Sequence, residues 1–144
     1  MATLWKAEFS MTTWYDGLSK PAMTPPKKIF GPVWAGLYLL IAISLTIYFL
    51  TPAKPYFIPV LILLAIHFTA GFSWTSIFFG RKRLLAALLD LLFMDATLAL
   101  IMVAFIQTNH TAALLLIPYC CWCMFATYLN WGILRLNPKN DPQA

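Results

Sequence analysis

The sequence predicts an all-α fold, a polytopic bundle of membrane-spanning helices with four spans. Of the 144 residues, 61% are hydrophobic and only 10% are charged, whereas an average soluble domain is about 45–50% apolar and about 25% charged. Four long runs with few or no charged residues divide the chain. This composition excludes an ordinary soluble domain, a disordered chain and a disulfide-stapled secreted fold.

Each of the four apolar runs is long enough to cross a membrane once. About 20 helical residues cross a hydrocarbon core of about 30 Å, and lipid offers backbone groups no hydrogen-bond partners, which favours helices. The alternating segments of a membrane β-barrel are not found in the sequence. The chain is therefore predicted to form a single membrane domain over residues 1–144, with spans at residues 29–50, 56–79, 84–106 and 112–134.

The distribution of Lys and Arg predicts how the spans are oriented. With four spans, nine of the ten cations fall on the side of the membrane that holds both termini, and only Lys54 falls on the other side. The positive-inside rule then places both termini in the cytoplasm. Since topology accounts for the formal net charge of +5, no nucleic-acid partner is needed to explain it.

Residues 1–25 are predicted to form an N-terminal tail and a loop that caps the spans. Residues 1–13 lack the apolar core of a signal peptide. The next segment begins at Trp14 and ends in the tandem prolines Pro25 and Pro26, which forbid a helix before them, although Pro26 is tolerated at a helix start. We expect a structured loop over the cytoplasmic ends of the spans, and a simple interfacial loop with an aromatic anchor is the alternative.

Aromatic residues recur at helical spacing inside the spans. Phe30, Trp34 and Tyr38 are four residues apart and share one face of the first span. Trp34, Trp74 and Trp122 lie several residues inside their runs rather than at the ends, where membrane tryptophans are usual. Helix packing alone can explain such a stripe, but three deep tryptophans favour a cavity in which rings stack on a flat apolar ligand.

Three ionisable residues, His67, Asp90 and Asp95, lie inside predicted spans, where they are costly and often functional. The functional interpretation is a proton or ion path. The alternative is a set of inward-facing polar groups that hydrogen-bond between helices. His67 is a candidate partner for one of the two carboxylates.

Cysteines at positions 120, 121 and 123 crowd the last span. A structural zinc site usually needs four ligands, and that span contains no His. We therefore interpret them as small, polarizable packing residues. The sequence predicts no metal site, no catalytic residue and no required cofactor.

Three stretches of the sequence carry a family resemblance. The first is Trp14-Tyr15-x-x-Leu18-x-Lys20-Pro21-x-x-x-Pro25-Pro26-x-x-x-Phe30-x-x-Val33-Trp34-x-x-Leu37-Tyr38. The second is Trp74-x-x-x-Phe78-Phe79, and the third is Pro118-Tyr119-x-x-Trp122-x-x-Phe125-Ala126-x-x-Leu129-Asn130. Together they resemble the TspO/MBR family, the tryptophan-rich sensory proteins of bacteria and the translocator protein, or peripheral benzodiazepine receptor, of mitochondria.

This resemblance implies an integral membrane protein, usually a homodimer, that binds porphyrin or haem in a tryptophan-rich pocket and acts in tetrapyrrole transport or stress sensing. Sterols or benzodiazepine-like compounds are further implied ligands. The alternatives are a light-dependent porphyrin-degrading enzyme and, from the intramembrane ionisable residues, a small proton-coupled exporter. The membrane would be the inner membrane of a bacterial cell or the outer mitochondrial membrane of a eukaryotic one.

The resemblance also implies a set of ligand-binding residues. The pocket would be lined by residues of three spans, and the capping loop would close it. The implied ligand-binding residues are Trp14, Pro25, Pro26, Trp34, Tyr38, His67, Trp74, Trp122, Phe125 and Asn130.

The chain departs from the family pattern in two respects. The family has five spans, the first of which precedes the Trp-Tyr motif, whereas only 13 residues precede Trp14 here. Either this is a four-span member or its start is shortened. In the helix of Trp74, His67 and Gly71 stand where the family usually carries Gln and Asn. The titratable imidazole of His67 therefore replaces the Gln amide, and Gly71 offers no side chain in place of the Asn amide.

Overall fold

The computed structural model describes residues 14–137, apart from the side chain of Lys27. This part of the chain is built of helices and contains no strand. Four helical segments are long and apolar enough to cross a membrane, namely Phe30–Leu50, Phe57–Gly80, Leu84–Ile106 and His110–Leu136. The predicted all-α fold with four candidate spans is confirmed. The predicted tail, residues 1–13, lies outside the described residues.

The first two spans begin and end at recognisable turns. Helix α1, Phe30–Leu50, follows a single 3-10 turn in which the N–H of Ile29 donates to the carbonyl of Pro26 at 3.1 Å. Helix α2, Phe57–Thr75, continues into one π-helical turn, Ser76–Gly80.

Helix α3, Leu84–Ile106, is a single unbroken span, whereas the fourth span is interrupted. Helix α4, His110–Leu115, ends just before helix α5, Ile117–Leu136. Pro118 explains the break, because its ring cannot donate a backbone hydrogen bond and clashes with the carbonyl four residues earlier.

Helix α3 is the central element and the most buried of the four spans. It packs against α2 on one side and against α4 and α5 on the other. Helix α1 packs mainly along α4, where the hydroxyl of Ser44 donates to the carbonyl of Ala112 at 2.7 Å. Because α1 lies apart from α2, the space between α1, α2 and α5 is not filled by helix packing.

Residues 14–26, called the cap below, fold over one end of this space. Tyr15 and Leu18 are buried against Phe78 and Ile133. Pro21 approaches α5 so closely that a Cβ atom added at Gly132 would overlap its ring. The cap is thus packed onto the end of the bundle where α2 and α5 end and α1 begins.

Candidate functional site

The space between α1, α2 and α5 is a cavity of about 830 Å³, within the range of about 300–1,000 Å³ that is usual for small-molecule sites. More than half of the residues that line it are aromatic. These aromatic residues are Tyr15, Phe30, Trp34, Tyr38, Phe68, Phe72, Trp74, Phe78, Phe79, Tyr119 and Trp122. None of the lining residues carries a formal charge. Such walls can stack on a flat, apolar molecule.

The wall formed by α1 and α5 contains two tryptophans in contact. The ring centroids of Trp34 and Trp122 are 6.3 Å apart and their planes meet at 85°. Trp34 also lies 5.5 Å from Tyr38, one turn along α1, and Phe30 meets Trp122 edge to face at 5.8 Å. The four-residue spacing predicted from the sequence therefore places these α1 rings on the face that meets α5.

The wall formed by α2 is held in place by a hydrogen-bonded asparagine. The indole N–H of Trp74 donates to Asn130 Oδ1 at 3.1 Å, and Asn130 Nδ2 donates to the carbonyl of Leu84 at 3.0 Å. The ring of Trp74 stacks on Phe78 at 4.9 Å. Asn130 thus connects α5 to the ends of two other spans and fixes the indole plane in the cavity wall.

The cavity is closed at one end and open at one side, considering the described residues alone. Tyr15 of the cap lies at the closed end, and burial, together with the nearby Asp16, raises the pKa of its phenol. Tyr38 on α1 and Phe72 on α2 line the cavity but remain 49% and 70% exposed. The side between these two helices is therefore the open one.

His67 lies behind the cavity wall and is only 1% exposed. Its Nδ1 is 2.9 Å from Thr97 Oγ1, and its Nε2 is 2.7 Å from Tyr119 Oη. The Thr97 hydroxyl donates to the carbonyl of Met94 at 3.0 Å, so it accepts from Nδ1–H. In the neutral imidazole, Nε2 accepts the phenolic proton of Tyr119. Both ring nitrogens therefore have a hydrogen-bond partner.

This arrangement replaces the carboxylate partner that the sequence suggested for His67. Asp95 instead accepts a hydrogen bond from Thr127 on α5, at 2.7 Å. Asp90 lines a separate shallow groove between α2 and α3. Within residues 14–137, no direct hydrogen bond joins His67 to Asp95.

The structure brings together five of the predicted ligand-binding residues: Trp34, Tyr38, Trp74, Trp122 and Asn130 all line the cavity. The remaining five do not line it. Trp14 packs on the outer side of Phe78 at 5.5 Å, and Phe125 lies beside Trp122 at 5.8 Å. Pro25 and Pro26 shape the cap, and His67 supports Tyr119 from behind.

Sequence reasoning did not select several lining residues, and Tyr119 is the most informative of them. It lies three residues before Trp122, on the same face of α5, and its ring centroid is 6.4 Å from that of Trp34 in the same wall. Phe78, four residues after Trp74, is a second case. Extending each tryptophan stripe by one helical turn would have found both residues. Within residues 14–137, no group of three His, Cys, Asp or Glu side chains is placed to hold a metal ion.

Comparisons with known proteins agree with this architecture. The model of the TspO/MBR family matches residues 2–136. The tryptophan-rich protein TspO of Chlorobaculum tepidum is 38% identical over 126 residues, which is 87% of this chain and 80% of that protein. The tryptophan-rich sensory protein of Cereibacter sphaeroides is 35% identical over 91% of this chain and 80% of its own length. The human translocator protein is 36% identical over 86% of this chain and 75% of its own length.

Proposed function

Since this chain belongs to the TspO/MBR family of membrane proteins, we propose that its cavity binds a porphyrin or haem-type tetrapyrrole for transport or stress sensing. The observation that carries the proposal is the ring-lined wall formed by Trp34, Tyr119 and Trp122. A tetrapyrrole is a flat, rigid π-system, and stacking on such walls contributes beyond the burial of apolar area.

The open side of the cavity supports the same proposal. A hydrophobic ligand of this kind partitions into the bilayer, and the gap between Tyr38 and Phe72 faces outward from the bundle. The ligand would enter through that gap with its macrocycle edge first. The capped end would then stop it at Tyr15.

Titration of the purified protein in detergent with protoporphyrin IX tests the proposal. We expect quenching of tryptophan emission and a shift of the porphyrin absorbance band. Replacing Trp34 and Trp122 together by Phe should raise the Kd about tenfold, because two large stacking surfaces are reduced. The absorbance readout is needed here, because the variant also lacks two fluorophores.

Trp131→Phe is the matched control. Trp131 is on α5 but is 45% exposed and does not line the cavity, so its replacement should leave the Kd unchanged. No saturable absorbance shift in the unmodified protein, or an equal Kd for the double variant, would contradict tetrapyrrole binding in this cavity.

A light-dependent porphyrin-degrading activity is the second candidate function. The observation that favours it is that Tyr119, whose ring centroid is 6.4 Å from that of Trp34, has its phenolic oxygen 2.7 Å from His67 Nε2. An excited porphyrin could take an electron from an indole, and its radical anion could react with dissolved dioxygen as the oxidant. Tyr119 could then reduce the indole radical as the phenolic proton moves to His67. Illumination should then produce new absorbance bands that are lost in Trp122→Phe. Bleaching no faster than that of the free dye would reject this activity.

We also propose that the capped end of the bundle faces the cytoplasm. Lys20, Lys82 and Arg135 lie at that end, and Lys54 lies at the other. This asymmetry follows the positive-inside rule. A reporter that is active only in the cytoplasm should be active when it is fused after Ala144. An inactive reporter would indicate the opposite orientation.

A further inference from the structure

We infer that the shallow groove between α2 and α3 is a second binding site, which takes a lipophilic amine in its ammonium form from the surrounding lipid. The groove has a volume of about 390 Å³ and is lined by Ala65, Ile66, Thr69, Ala70, Ser73, Asp90 and Phe93. None of these residues lines the aromatic cavity. The inference therefore does not depend on tetrapyrrole binding.

Asp90 gives the groove its charge. Its Oδ2 atom is buried and has no hydrogen-bond partner among residues 14–137. Within the described part of the chain, no Lys, Arg or His lines the groove, and both ring nitrogens of His67 are bonded to other groups. A carboxyl inside a membrane either keeps its proton or pairs with a cation. Since these residues supply no cation, an ammonium from outside is the complementary partner.

The two hydroxyls of the groove favour the same class of ligand. Thr69 Oγ1 donates to the carbonyl of Ala65 at 2.7 Å, and Ser73 Oγ donates to the carbonyl of Thr69 at 2.8 Å. A hydroxyl whose proton is used in this way offers a ligand only its oxygen lone pairs. With the Asp90 carboxylate, each polar side chain that lines the groove is then an acceptor. Such a set suits a positively charged N–H donor and disfavours an anion.

The depth of Asp90 favours an ammonium that is carried directly on a hydrocarbon chain. Asp90 is six residues after the first residue of α3, which places it about 9 Å along a helix that rises about 1.5 Å per residue. The ammonium of a phospholipid lies outside the hydrocarbon core, beyond the phosphate. Ile66 and Phe93, which flank the groove, are 40% and 49% exposed. They provide an apolar surface for the chain of the amine.

Labelling with dicyclohexylcarbodiimide tests the site, because this apolar reagent enters membranes and reacts with a carboxyl that carries its proton. The carboxyl oxygen bonds to the carbodiimide carbon, the proton moves to a nitrogen, and the adduct rearranges to a stable N-acylurea without a leaving group. In phosphatidylcholine nanodiscs that hold one copy of the protein, we expect labelling of Asp90, read from the mass of its peptide.

N,N-Dimethyldodecylamine is the probe, since a tertiary amine cannot form an amide with the activated carboxyl. At saturation it should slow the labelling of Asp90 at least about tenfold, because the carboxylate paired with the ammonium has no proton to react. N,N-Dimethyldodecanamide is the matched control. It has the same chain length and no ammonium, so it should leave the labelling rate unchanged.

Variants locate the bound amine. Replacing Thr69 by Val and Ser73 by Ala together should raise the half-protecting concentration at least about threefold, because two acceptors near the ammonium are lost. Thr46→Val is the control, since Thr46 also donates to its own helix, at 2.8 Å to the carbonyl of Ala42, but does not line the groove. Asp95→Asn should likewise keep both the labelling of Asp90 and its protection.

Four outcomes would overturn the inference. Absence of labelling without the amine would show that the carboxyl is not reached from the lipid. Equal protection by the amide would show that the alkyl chain alone occupies the groove. Labelling that is lost in nanodiscs holding two copies would assign the groove to a second copy of this chain. Protection by added phosphatidylethanolamine in place of the amine would assign it to a lipid headgroup.

Discussion

Ser19 and Asn137 are joined by two reciprocal hydrogen bonds across 118 residues of sequence. The N–H of Ser19 donates to Asn137 Oδ1 at 2.9 Å, and Asn137 Nδ2 donates to the carbonyl of Ser19 at 2.7 Å. Asn137 also donates to the carbonyl of Ile133 at 2.8 Å. One buried side chain thus ends α5 and holds the cap over the cavity.

Replacing Asn137 by Ala should loosen the cap. Three hydrogen bonds are lost and the Ser19 N–H loses its partner, so we expect a loss of about 1–3 kcal/mol in the free energy of unfolding. Hydrogen exchange at residues 15–20 should accelerate. Asn137→Asp keeps the acceptor and loses the donors, so it should have an intermediate effect. Unchanged exchange in Asn137→Ala would contradict the clamping role.

Gly132→Ala should destabilise the protein, although alanine normally favours a helix by about 1 kcal/mol over glycine. The added Cβ would overlap the ring of Pro21, and overpacking of this kind costs about 1–3 kcal/mol. Thermal unfolding in detergent should show a lower Tm. Combining it with Pro21→Ala should recover part of the loss.

Gly36→Ala is the control for that experiment. Gly36 is also in a span, but no heavy atom lies within 4 Å of its added Cβ. Its Tm should be equal to or higher than that of the unmodified protein. A lower Tm for Gly36→Ala than for Gly132→Ala would show that the contact with Pro21 does not decide whether such a substitution raises or lowers the Tm.

His67→Leu should be more destabilising than His67→Gln. Leucine removes the imidazole partner of the Tyr119 phenol, and the loss of a buried hydrogen-bond partner costs about 1–3 kcal/mol, whereas the Thr97 hydroxyl keeps its bond to the carbonyl of Met94. Glutamine has a donor and an acceptor on one amide and replaces at least one bond. Equal Tm values for the two variants would mean that His67 acts through its volume alone.

Asn130→Ala should weaken porphyrin binding as well as lower stability, because Trp74 and the start of α3 lose their common partner. Trp74→Phe keeps a ring but removes the N–H donor. In a double-mutant cycle we expect a coupling of about 0.5–3 kcal/mol between the two sites. Additive effects on the Kd would show that Asn130 does not act through Trp74.

Much of the fold could be predicted because it depends on local composition. Long apolar runs define the four spans, and the helical period places Trp34 and Tyr38 on one face. The partners of His67 could not be predicted in the same way. They are 30 and 52 residues away in sequence, and three polar side chains in one core could pair in several ways.

The candidate site also combines features that the sequence predicts with features that only the structure shows. Trp14 and Trp122 are equivalent as aromatic residues in a sequence motif, yet only Trp122 lines the cavity, because Phe78 separates Trp14 from it. The left-handed backbone of Lys82 and the position of its ammonium over Trp14 likewise depend on how the turn after α2 is built.

The sequence by itself determined that this protein is an all-α membrane bundle, because burial in lipid requires long uncharged helices whatever their arrangement. Its motifs, and not its composition, carried the resemblance to the TspO/MBR family. Tertiary structure alone decided which aromatic rings share a cavity, where that cavity opens and what holds its cap. Those features depend on distances between helices, and such distances follow from packing across the whole bundle. The contact between Asn137 and Ser19 and the separation of α1 from α2 both follow from this packing.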